Sequence, residues 1–190
     1  IRSAWPQAEI DLCPLADGGE GTVATLVDAL GGHLQTSRVT GPLGLPTTAI
    51  WGLVEADPAT TQNRAEGPAE QNPPPLSEKS LTAIIEMASA AGLALVPPAQ
   101  RNPLQTTTWG VGELMCAALD AGAKQIVLGI GGSATNDGGL GALAALGARI
   151  RTVDGWLARP PVGADLLRLQ AIDCEHLDPR LRQVRIVIAC

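Results

Sequence analysis

Twice in this chain a short apolar run breaks into a loop of glycines and acids that opens onto an apolar helix. The clearer case is residues 125–130, QIVLGI, followed by Gly131-Gly132-Ser133-Ala134-Thr135-Asn136-Asp137-Gly138-Gly139 and a helix predicted from about Leu140 to Leu146. Earlier, residues 9–15, EIDLCPL, read as a short strand running into Ala16-Asp17-Gly18-Gly19-Glu20-Gly21-Thr22. Val23, Leu26, Val27 and Leu30 then fall at helical spacing. This order predicts an α/β fold with a largely parallel sheet and helices on both faces. Further strands are predicted at 34–39, 47–54, 81–87, 148–153 and 183–189. Thr106, Thr107 or Thr108 would cap a helix bearing Val111, Leu114, Met115, Ala118 and Leu119. Residues 164–170 read as helical. Phe and Tyr are absent, so the core must be aliphatic, which suits strands buried on both faces.

The chain divides into an N-terminal part, 1–54, carrying the ADGGEGT loop, a stretch at 55–80, and an α/β part, 81–190, carrying the GGSATNDGG loop. The middle stretch is rich in Pro, Gln, Asn and Glu and is expected to be a flexible surface insertion. A net charge of −6 argues against a nucleic-acid partner and against an anionic membrane surface, both of which need a basic patch. No apolar run is long enough for a membrane-spanning helix, and no signal-peptide pattern is present. Cys13, Cys116, Cys174 and Cys190 are far apart with no C-x-x-C, which predicts buried free thiols in a reducing, cytoplasmic setting. His33 and His176 are expected at the surface, and the four Trp as packing anchors.

The loop after residue 130 carries the strongest chemical signal. Its glycines let backbone N–H groups approach an anion, and a helix N-terminus adds partial positive charge. Ser133, Thr135 and Asn136 add polar donors. Asp137 is unfavourable beside an anion unless it holds a metal or accepts a proton, both useful in phosphoryl transfer. The competing reading makes Asp137 a helix cap in a tight turn. In ADGGEGT, Asp17 and Glu20 are candidates for Mg²⁺ or for substrate hydroxyls, against plain helix capping. Arg101 offers a planar fork for a carboxylate or phosphate. Glu86 ends an apolar strand, where a carboxylate is rarely buried without a partner, so it is expected to face a site or to pair with an Arg.

Gly129, Gly131 and Ala134 also fit the dinucleotide pattern G-x-G-x-x-G/A, with Asp154 as the ribose-binding acid, which would make the chain an NAD-dependent dehydrogenase. Against this, Thr135 to Gly139 intervene before the helix. No Walker A sequence exists, and the two lysines, Lys79 and Lys124, follow no glycine-rich loop.

In order along the chain stand LADGGEGT, VTGPLG, IIEMASAAGL, RNPLQTTTWGVGEL and LGIGGSATNDGG. This set resembles the bacterial glycerate kinase family, and the resemblance covers nearly all of the chain outside 55–80 and 155–182. It implies a two-domain α/β enzyme that uses ATP and Mg²⁺ to phosphorylate D-glycerate, giving 2-phosphoglycerate or 3-phosphoglycerate. Partners would then be D-glycerate and, in a homodimer, a second copy. Carried onto this sequence, Asp137 and Asp17 would be catalytic. Gly131, Gly132, Ser133, Thr135, Asn136 and Arg101 would bind substrate or phosphate, and Asp17 and Glu20 would hold Mg²⁺. The family also has a Ser-Phe-Lys-Gly-Ser type loop before this region, and Asp…Asn-Pro-Leu and Gly-Pro-Gln-Lys-Gly segments after it. The chain is therefore expected to be a fragment lacking both ends and inactive alone, or else a non-catalytic ligand-binding remnant.

Overall fold

The structure, a computed structural model, describes residues 3–9, 15–56 and 80–190. The strand expected at 9–15 and the insertion expected at 55–80 fall largely outside the described residues. The first helix, α1 (Thr22–Leu30), ends at Gly31 in the left-handed conformation. It is followed by β1 (His33–Thr40), β2 (Pro46–Ala56) and β3 (Ser80–Glu86). After the short α2 (Met87–Ala91) come α3 (Trp109–Asp120), β4 (Gln125–Gly129) and α4 (Leu140–Ala145). The remaining strands are β5 (Arg149–Thr152), β6 (Gly155–Trp156), β7 (Leu169–Asp173) and β8 (Arg185–Ala189).

The main sheet runs β1-β2-β3-β4-β8, and β6-β5-β7 form a second, smaller one. β3, β4 and β8 are parallel, while β1 and β2 meander antiparallel onto β3. The two periods meet here: alternate residues of β3 face opposite sides of the sheet, while the apolar stripe of each helix faces inward. Ile84 packs with Val23 and Val27 of α1. Ala83 and Ile85 join Val111, Leu114, Met115 and Ala118 of α3. Helices therefore cover both faces, as the sequence predicts. At Gly52 a Cβ would lie 2.2 Å from the Val27 side chain, so the missing side chain is what lets α1 sit on β2. Leu140 of α4 and Ile150 of β5 form a satellite core beneath the small sheet.

Three expectations are corrected. The stretch predicted as helix at 164–170 is a 3-10 turn over Gly163–Arg168 that gives way to β7 at Leu169. Of the four Trp, Trp51 is buried, but Trp5 and Trp156 are exposed. Trp156 is stacked on by the guanidinium of Arg149, 4.4 Å from the ring centre. The described thiols are not buried either: Cys174 and Cys190 are exposed and Cys116 is half-buried, while Cys13 lies outside the described residues. Burial and neighbouring Asp178 and Asp120 push the Cys116 thiol up, so it is a poor nucleophile. Among the described residues no helix is long and apolar enough to cross a membrane.

Candidate active site

Parallel strands end where a chain must leave the sheet, so ligand sites of open α/β folds lie just past their carboxyl ends. Here Glu86, Gly129 and Ala189 stand in register across the ends of β3, β4 and β8. Both glycine-rich loops meet on that row. Gly131 N–H donates to Gly18 O at 2.9 Å. A Cβ at Gly129 would lie 2.5 Å from Gly18 O, and one at Gly131 would lie 2.7 Å from Gly19 Cα. The loops touch backbone to backbone, which only glycine permits at these positions. Gly18 itself has φ 85, a left-handed conformation that disfavours a side chain.

The loop after β4 is laced to the segment beginning at Arg101. Thr106 Oγ donates to Ala134 O at 2.9 Å, and Thr135 Oγ donates to Thr106 O at 2.8 Å. Leu93 N–H donates to Gly132 O, and Ala134 N–H to Ala91 O. Thr107 N–H donates to Pro42 O, so the VTGPLG turn braces the same segment from the other side.

Asp137 is the centre of this lacing rather than an open carboxylate. It is 1% exposed. Its Oδ2 accepts from Thr108 N–H and Thr108 Oγ, both at 2.8 Å, and from Gly141 N–H at 3.1 Å. Its Oδ1 accepts from Gly139 N–H at 3.0 Å. Ala142 N–H donates to Thr108 Oγ. The first amides of α4 are therefore satisfied from within, and the carboxylate caps a helix of six residues. Asp137 thus has the capping role that the competing reading gives it, and the amides at the start of α4 are bonded within the protein. Three donors fill Oδ2, while Oδ1, with one, keeps a second acceptor site on a side chain that is otherwise buried.

The other candidates divide by whether they are already engaged. Ser133 Oγ donates to Thr135 O and accepts from Thr135 N–H, so that hydroxyl shapes the loop. The backbone N–H groups of Gly132, Ser133 and Asn136 donate to no described residue, and Asn136 is exposed. Asp17 Oδ1 accepts from Gly19 N–H at 2.9 Å. Glu20 is exposed just ahead of α1. Among the described residues no three His, Cys, Asp or Glu converge as a metal cluster. Arg101 is exposed, and its Nε donates to Val96 O at 3.2 Å, leaving the outer guanidinium without an ion pair among the described residues.

For Glu86 the sequence offers two settings, a site or an arginine partner. Its partner is not an arginine. Oε2 accepts from Val23 N–H at 3.0 Å, across 63 positions of chain. On the α3 face, below the loop after β4, a trough of about 620 Å³ is lined by Met87, Val111 and Leu128, with Ser133, Asn136 and Asp137 in its polar part. The wall beside it is the turn over Gly163–Arg168, whose Gly163 N–H donates to Thr106 O. Buried Asp165 fixes that turn, accepting from Val162 N–H and from both ends of the Arg159 fork at 2.8 Å. Burial opposes its charge, but the bonds from Arg159 and Val162 win and hold its carboxyl below the usual range. A depressed folded pKa gives stability that is present above the unfolded value of about 3.9 and lost as pH falls through the folded value. Asp165→Asn should therefore lower the unfolding midpoint at pH 7, and the gap to the unmodified protein should close below about pH 4. A gap that stays constant down to pH 2–3 on a thermal unfolding series would remove the ionised pair from the account.

The dinucleotide reading loses both its supports. The helix N-terminus that would carry a pyrophosphate is occupied by Asp137, and Asp154 is paired with Arg168 on the small sheet.

Comparison with known proteins follows the same line. The model of the glycerate kinase family matches residues 1–190. Glycerate kinase of Bacillus subtilis is 47% identical over 190 residues, which are 100% of this chain and 44% of that protein. Glycerate 2-kinase of Escherichia coli is 42% identical over the same share of each. A crystal structure from Salmonella typhimurium LT2, provisionally named glycerate kinase 2, superposes with a TM-score of 0.74 at 46% identity, covering 100% of this chain and 45% of that one. The chain thus spans under half the length of the relatives it matches.

Proposed function

The chain belongs to the glycerate kinase family, and from that premise we propose that the whole protein transfers a phosphoryl group from ATP to a hydroxyl of D-glycerate. The observation that supports this reading is the meeting of the two glycine-rich loops at the carboxyl ends of β3, β4 and β8. Phosphoryl transfer asks for positioning and charge neutralisation more than for covalent chemistry. The free N–H groups of Gly132, Ser133 and Asn136 suit the oxygens of a carboxylate or a phosphate. The Asn136 amide and the outer guanidinium of Arg101 suit the same oxygens. Gly131 holds the two loops in contact. Asp137, Ser133 and Thr135 keep the loop in shape from behind, so their effect on turnover runs through position.

Mg²⁺ binds through one or two carboxylates plus substrate phosphates and keeps several waters. The free oxygen of Asp17 and the exposed Glu20 fit that modest demand, which needs no cluster of three acids. Bound there, the ion would neutralise charge on the nucleotide phosphates. The 2-hydroxyl is our proposed acceptor, in keeping with the name of the Escherichia coli relative.

The test uses the full-length protein with D-glycerate and ATP. ADP release that requires D-glycerate, with 2-phosphoglycerate identified by phosphorus NMR, is the expected result. Tight D-glycerate binding without any ADP release would instead fit a ligand-binding remnant. Transfer to the 3-hydroxyl would keep the kinase and move the acceptor.

A further inference from the structure

We infer that Glu86 is the carboxylate that accepts the proton of the substrate hydroxyl. This rests on the kinase reading. Transfer to an alcohol needs an acceptor for its proton, and both oxygens of buried Asp137 already serve as acceptors in capping α4. Glu86 is the acid that closes β3, the middle strand of the five-stranded sheet, in register with Gly129, against which Gly18 packs. It therefore stands at the row where the two loops converge.

Its two oxygens are used differently. Oε2 is fixed by Val23 N–H at 3.0 Å, in the first turn of α1. That turn has no acid of its own, and Gly21 offers no side-chain cap. Oε1 takes no hydrogen bond from any described residue. Glu86 is 9% exposed, at the end of β3. One oxygen anchored and one with no partner among the described residues is the arrangement a positioned base requires. Asp17 and Glu20 lie in the loop that leads into the same turn of α1, so the cation-binding carboxylates and the proton acceptor are separate groups.

In the step, the hydroxyl O–H bond breaks and its proton goes to Glu86 Oε1. The freed oxygen bonds to the γ-phosphorus of the nucleoside triphosphate. The bond from that phosphorus to the bridging oxygen breaks, and the electron pair leaves with the diphosphate.

The experiment is steady-state kinetics of the full-length protein as Glu86→Gln. The amide oxygen can still accept from Val23 N–H, so the anchor survives while the base is lost. We expect kcat to fall at least 100-fold with KM for D-glycerate within about threefold. A kcat within tenfold of the unmodified protein overturns the inference. So does a large rise in KM with kcat kept, which would make Glu86 a brace for α1 only. Should Glu86→Gln fail to fold, Glu86→Asp keeps the charge and withdraws the carboxylate. Its kcat should fall at least tenfold with KM kept, and a kcat within twofold overturns the inference. An inactive unmodified protein would instead overturn the kinase reading.

Discussion

Asp137→Asn should destabilise the protein by about 2–4 kcal/mol, seen as a lower midpoint of chemical unfolding. The carboxylate takes four donors and is buried at 1% exposure. An amide can offer its oxygen to the Thr108 and Gly141 side, but its NH₂ then faces the Gly139 N–H donor. One bond becomes a repulsion and the charge assistance of the others is lost. Thr108→Val, which removes one of the same donors and the acceptor used by Ala142, should lose stability less than additively with Asp137→Asn, because both act on one network. Turnover should fall in Asp137→Asn as well. If the midpoint is unchanged while turnover falls by orders of magnitude, Asp137 is a catalytic group after all, and the capping geometry is not its main role.

Gly131→Ala should reduce turnover at least 100-fold while costing about 1–3 kcal/mol of stability. The added methyl would stand 2.7 Å from Gly19 Cα and 2.8 Å from Gly19 N. Both are backbone atoms, so no rotamer change relieves the clash and the loops must part. A displacement of about 1 Å in positioning groups is worth roughly two orders of magnitude in rate. Gly122→Ala is the useful contrast. It strains the left-handed conformation at the end of α3, with φ 83 and no neighbour within 4 Å, but lies far from the site in the fold. It should cost stability with little change in turnover. Equal loss of turnover in both variants would mean that the loop contact has no special role.

Much of this architecture was legible in the residues. The strand expected at 125–130 is Gln125–Gly129, and the stripe from Val111 to Leu119 is the buried side of α3. These succeed because an apolar run or a 3.6-residue period is local information. The small sheet was less legible. β6 is two residues long and β7 follows a 3-10 turn, so neither leaves much pattern. The site was readable as two loops, but not as one place. Nothing in ADGGEGT or GGSATNDGG says that Gly18 and Gly131 share a hydrogen bond.

Roles were harder still, because they depend on partners far along the chain. Asp137 in a glycine-rich loop suits a base and a cap equally well. The decision lies with Thr108, 29 residues earlier, whose N–H and hydroxyl both donate to it. Glu86 at the end of IIE was marked as unusual by its burial, but its anchor is Val23, on an element that precedes it by 63 residues. Ser133 and Thr135 were read as ligand donors because hydroxyls suit phosphate. In the fold their hydroxyls are consumed by Thr135 O and Thr106 O. What remains for a ligand is mostly backbone N–H, which every non-proline residue carries and no sequence pattern displays.

The central claim is that loops 16–21 and 130–139 form one ligand site, and hydrogen exchange on the full-length protein tests it most directly. Amide exchange would be followed with and without D-glycerate plus a non-hydrolysable ATP analogue. The account predicts that both segments gain protection together, including the amides of Gly132, Ser133 and Asn136, while those of Gly139 and Gly141, already bonded to Asp137, change little. Protection of one loop without the other, or of neither, would contradict it.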